Sequence, residues 1–144
     1  MPIQYERDDV RRRVVITFPV VYQAADAVAA IERHHAEGVW SYGVLYDLRI
    51  LRGHPALADL KVHMARDAQP PAGESQPRGP VAIVAADAIV YGSACTYAAL
   101  GRSTRMTIEV FHDWTEAEGW LAANTSEKGV TGKGKRSRRN PPIA

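Results

Sequence analysis

The chain predicts a single α/β domain: a five-stranded mixed sheet in the order ββαβαβαβα, with helices packed on its faces. Three observations carry this. The segment GPVAIVAADAIVYGSACTYAALG, residues 79 to 101, places in sequence an unbroken apolar run, a capping aspartate, a helical stretch and a glycine. Its run Val81 to Ala85 does not alternate with polar residues, as expected of a parallel strand covered on both faces. Finally, the strand patterns after the first two are separated by helical stretches long enough for crossover connections, which favours parallel pairing.

Element by element, Ile3 to Arg7 and Arg12 to Phe18 read as a hairpin turning at Asp8 and Asp9. The β-branched Val14, Val15 and Ile16 put the second strand inside the sheet and the first at its edge. After Pro19, the spacing of Val21, Ala24, Ala25, Val28 and Ile31 predicts a helix that Gly38 ends. Tyr42 to Asp47 supplies the third strand. Pro55 suits the first turn of a helix whose buried face would be Leu57, Leu60 and Met64. Ala68 to Arg78 reads as a proline- and glycine-rich mobile loop. In the next helix Asp87 accepts hydrogen bonds from free amides at the start, and Gly101 provides a left-handed stop after Leu100. Met106 to Phe111 makes the last strand. Asp113 and Glu116 form a capping pair for a closing helix with Trp114, Trp120 and Leu121.

At 144 residues and 46% hydrophobic content, the chain suffices for one core. The formal charge of +2 is unevenly placed. Residues 125 to 144 hold six basic residues and one acidic, a net +5, whereas the rest carries −3 from 12 basic and 15 acidic residues. The expected division is a domain over residues 1–123 and a basic, disordered tail over 124–144. An acidic body gives no reason to expect a nucleic-acid-binding fold, and only the tail could hold nucleic acid or acidic lipid, by charge alone. A solubilising extension explains its composition equally well. The single Cys95 excludes an internal disulfide and a cysteine-built metal site; as a small thiol in mid-helix it reads as buried. With no signal-peptide pattern and no bilayer-length apolar run, the expectation is a cytoplasmic, non-transmembrane protein.

The opening IQYERDDVRRRVVITF, the central VLYDLR, the RGPVAIVAADAIVYG segment with Tyr97 downstream, and the closing VFHDWTEAEGWL together resemble the SpoIIAA-like branch of the STAS domains, the STAS/SEC14-type small bacterial proteins. The resemblance spans roughly residues 2 to 122. It implies a small regulatory or ligand-binding domain, usually without catalytic residues, and the sequence itself shows no motif for a cofactor. In the anti-sigma-factor antagonists of that family a phosphorylated serine or threonine follows the central strand. The matching segment here, Asp47 to Asp59, contains no serine, threonine or tyrosine, so the resemblance implies the fold without that switch.

Open α/β sheets bind ligands outside the carboxyl ends of their parallel strands. The residues there are Asp47, Arg49, Arg52 and His54 after the third strand, Asp87 and Tyr91 after the fourth, and His112 and Asp113 after the fifth. These are the candidate contacts for a ligand or partner, Arg49, Arg52 and His54 being suited to an anion or a carboxylate. Each also has an ordinary reading: solvated loop arginines, a surface pair at Asp47 and Arg49, helix caps at Asp87 and Asp113, and a half-buried aromatic at Tyr91. The five histidines show no metal-ligand spacing, Ser93 lacks a nucleophile elbow, and Phe18 to Gln23 contains no glycine to cradle a phosphate. The chain therefore predicts a noncatalytic module that recognises a protein partner or a small apolar ligand, with Trp40, Tyr42, Trp114 and Trp120 available for a contact patch or homodimer face. The alternative is a small-molecule enzyme using Asp47, Tyr91 or His112 as acid or base.

Overall fold

The computed structural model describes residues 2–53 and 55–125. Strands β1 (Gln4–Asp8), β2 (Arg13–Thr17), β3 (Gly43–Leu48), β4 (Val81–Ala85) and β5 (Ile108–Phe111) form one sheet in the order β1-β2-β3-β4-β5. β1 pairs antiparallel with β2, and every other pair is parallel. Helices α1 (Ala24–Ala36), α2 (Leu57–Asp67), α3 (Ala88–Ser103) and α4 (Trp114–Asn124) complete the expected order.

The strand order advances in one direction, and crossovers between parallel strands share one hand, so α1, α2 and α3 all fall on the same face. Val14 and Ile16 of β2, Val44 and Tyr46 of β3, and Val81 and Ile83 of β4 point into this larger core. α4 has no further strand to reach and covers the other face, where Ala117 and Leu121 meet Leu45, Ala82 and Val84. This two-sided cover explains why β3 and β4 are buried at successive positions rather than alternately.

Several local expectations hold. Asp8 accepts from the amide of Arg11 in the hairpin turn, and Gly38 ends α1 at φ +71°. Asp87 caps α3 through the amides of Ile89 and Val90, and Asp113 caps α4 through that of Glu116.

Others are corrected. Gly101 does not stop α3: the helix continues to Ser103, and the left-handed residue is Arg105. Gly101 is instead a packing position, where a Cβ would stand 3.1 Å from Met64 Cε and 3.2 Å from Ile108 Cγ2. α2 starts after Pro55, with Ala56 as its N-cap, so the proline precedes the first turn. Leu57 is half exposed, and the inward stripe of α2 is Leu60, His63, Met64 and Asp67. Trp40 and Tyr42 are buried, and Trp114 and Trp120 half-buried, so the four do not form an exposed patch. Cys95 is exposed, on the outward side of α3. The expected tail lies almost wholly outside the described residues.

Candidate functional site

The sheet and the three helices on its larger face enclose a cleft that opens at the carboxyl ends of β2, β3 and β4. Its inner chamber, about 70 Å3, is walled by Phe18 after β2, Leu48 and Leu51 around the end of β3, Ile31 of α1, Leu60 of α2 and Val90 of α3. Phe18 stands edge-on to Tyr22 at 4.9 Å and to Tyr46 at 6.1 Å, which fixes the aromatic side of the wall. Tyr22, Leu51, Gly53, Pro55 and His63 also border an outer vestibule of about 290 Å3, which adds Val21, Ala24, Arg52 and Asp59. The inner chamber alone is far below the roughly 300–1,000 Å3 of ordinary small-molecule sites, and the vestibule brings the cleft only to the bottom of that range. The shape therefore suits a slender occupant.

Behind the chamber lies a buried polar network. Tyr46 and Tyr97, which also line the chamber, both donate their hydroxyls to Asp67 Oδ2, at 2.7 and 2.8 Å. Arg78 donates from Nη2 to Asp67 Oδ1 at 2.6 Å and lies over the Trp40 ring at 4.7 Å. The Arg78 end of the expected mobile loop is thus pinned, and Gly79 continues the anchor by donating its amide to the Trp40 carbonyl at 3.0 Å. Burial, with the negative charge of Asp67 second, pushes both phenols well above their usual range, so they remain hydroxyl donors.

Three histidines surround this network, and burial lowers the pKa of each. His34 falls to about 4, with the Arg78 charge reinforcing the effect of burial. His35 and His63 shift in the same direction, with burial the main cause. The imidazole of His63 is the one that faces the cleft, and at neutral pH it does so uncharged.

The structure separates the residues singled out from the sequence. Asp47 points to the α4 face, away from the cleft, and holds Arg49 through Nε and Nη2, both at 2.9 Å; the Arg49 guanidinium lies 4.2 Å from the Trp114 ring centre. Arg52 borders the vestibule. Asp87 serves as the α3 cap. Tyr91 stacks on His112 at 3.9 Å with the rings nearly parallel, and His112 Nδ1 stands 3.2 Å from the Ala85 carbonyl oxygen. His54 lies outside the described residues. Asp47 and Tyr91 thus occupy opposite faces of the sheet rather than one constellation.

Sequence reasoning missed His63, Asp67 and Arg78. A signal was present for the first two: Leu60, His63, Met64 and Asp67 fall at i, i+3, i+4 and i+7, so two polar residues sit on the stripe that faces the core. Among the described residues, no group of three or more His, Cys, Asp or Glu could hold a metal ion, and no helix is long and apolar enough to cross a membrane. Compared with protein-family models, with curated proteins and with solved structures, the chain matches none.

Proposed function

We propose that this chain is a noncatalytic binding module of the STAS/SpoIIAA-like kind that takes a small apolar ligand into the cleft between its sheet and α1, α2 and α3. The observation that carries this reading is the wall of the inner chamber: side chains of Phe18, Ile31, Leu48, Leu51, Leu60 and Val90 converge on a space left unfilled. Interiors ordinarily pack to crystal-like density, so an open apolar chamber in so small a core favours an occupant. The segment between β3 and α2, where STAS antagonists carry a phosphorylated residue, here contributes Leu51, Gly53 and Pro55 to the cleft. The same position thereby serves apolar contact instead of phosphorylation.

A protein partner is the second reading, favoured by one observation. Val20, Val21, Ile50, Leu57 and Ile89 are each more than half exposed and lie on the segments that frame the cleft mouth. Such an apolar rim also suits a protein surface docked over the opening.

Native mass spectrometry of the protein isolated from its own cells tests both. The ligand reading predicts a stoichiometric adduct of small mass that disappears on denaturation. A bare chain that is recovered instead with a second polypeptide contradicts it and supports the partner reading.

A further inference from the structure

The chemistry of the two compartments says more about the occupant than the apolar wall alone, and the argument rests on the ligand reading above. Among the described residues, five polar side chains line the inner chamber: Tyr22, Tyr46, His63, Ser93 and Tyr97. The hydroxyls of Tyr46 and Tyr97 are engaged by Asp67, and among the described residues no cation or carboxylate lines the chamber. A charged group placed there would lose its hydration without a counter-charge. The chamber therefore takes an uncharged, apolar portion of a ligand.

The vestibule differs. Among the described residues it contains one cation, Arg52, and one carboxylate, Asp59. Arg52 is held in place by its own backbone, which donates to the Val20 carbonyl at 3.0 Å. Its Nη1 donates to the carbonyl of Leu51 at 2.9 Å. Among the described residues no carboxylate pairs with it. Asp59 lies in the first turn of α2, where the positive end of the helix dipole already offsets its charge. The guanidinium retains further donors in a planar fork matched to a carboxylate.

We infer that the ligand is a single-chain amphiphile with a carboxylate head, its chain filling the inner chamber past His63 and its head meeting Arg52 in the vestibule. The two compartments share Tyr22, Leu51, Gly53, Pro55 and His63, so one unbranched molecule passes from one to the other without crossing a wall. His63 and Tyr22 are the polar side chains that border both compartments. Arg52 acts as a selector of head group, while the chain supplies most of the affinity through burial.

Calorimetric titration of the full chain with octanoate, octanol and octylamine tests the assignment. Octanoate binds about fivefold more tightly than octanol, the size expected of a partly solvated ion pair. Arg52→Gln removes that preference and leaves octanol affinity unchanged. Arg52→Glu reverses it in favour of octylamine. Equal binding of octanoate and octanol, unaltered by Arg52→Gln, overturns the carboxylate assignment while the apolar cleft stands. Tightest binding of octylamine to the unaltered protein, lost in Asp59→Asn, overturns it in favour of a cationic head. If none of the three binds, the cleft reading fails and the head-group assignment falls with it.

Discussion

Arg78 and Asp67 form an ion pair inside the protein, with Nη2 2.6 Å from Oδ1 and side-chain exposures of 9% and 1%. The remaining carboxylate oxygen accepts from Tyr46 and Tyr97, so Asp67 ties α2 to β3, α3 and the segment before β4. Removing one partner from a buried pair strands the other charge. Arg78→Met is expected to cost about 3–5 kcal/mol of unfolding free energy. Tyr97→Phe, which leaves Asp67 with Tyr46 and Arg78, costs about 1.5–3 kcal/mol. Urea unfolding of the two variants checks this. A loss below ~1 kcal/mol for Arg78→Met would show that the pair opens to water.

Acid sensitivity follows from the buried histidines. The folded pKa of His34, about 4, lies below the 6.5 of a free imidazole, so the unfolded chain binds the proton more readily. The stability that depends on neutral His34 is therefore complete above pH 6.5 and is lost progressively as pH falls toward 4. His35 and His63 act with the same sign. Across that window the loss from His34 is roughly 3 kcal/mol. Denaturant midpoints measured against pH should fall in this range, and His34→Gln should flatten the slope. A midpoint independent of pH in the variant and the unaltered protein alike would contradict the burial of His34.

Glycine substitutions should divide by location. A Cβ on Gly79 would run into the Tyr42 carbonyl oxygen and come within 2.6 Å of that of Ser41, both backbone atoms that cannot swing away. Gly79→Ala is expected to destabilise by about 3 kcal/mol or more. Gly92 and Gly119 lie exposed within helices, with nothing within 4 Å of an added Cβ. Gly92→Ala and Gly119→Ala should each stabilise by roughly 0.5–1 kcal/mol, because alanine restricts the unfolded chain and favours the helix. Thermal unfolding of the three variants separates the cases, and a stable Gly79→Ala protein would argue against the close approach of the two segments.

The sheet was legible because its evidence is local. An uninterrupted apolar run at Val81 to Ala85, the Asp87 cap and the β-branched Val14 to Ile16 each constrain their own element, and the parallel pairing follows from connections long enough to cross over. Gly101 misled because a glycine past an apolar stretch has the same appearance whether it ends a helix or admits Ile108 and Met64 against its backbone. Only the packed fold distinguishes the two. The candidate site was legible in location but not in membership. Arg52 was singled out from its place after β3 and borders the vestibule, whereas the walls of the cleft come from residues as distant as Phe18 and Tyr97. Asp67 and Arg78 meet across a loop that composition alone marks as polar and mobile, so nothing short of the tertiary contact reveals the pair.

Calorimetric titration of the unaltered protein and of Ser93→Phe with octanol decides whether the inner chamber receives an apolar chain. Ser93 is only partly buried and lines the chamber, so a phenyl ring there fills the space without removing a core side chain. One octanol per chain should bind saturably with a negative heat-capacity change, and binding should be abolished in Ser93→Phe while the fold persists by circular dichroism. Octanol binding of equal strength in both proteins, or none in the unaltered one, would contradict it.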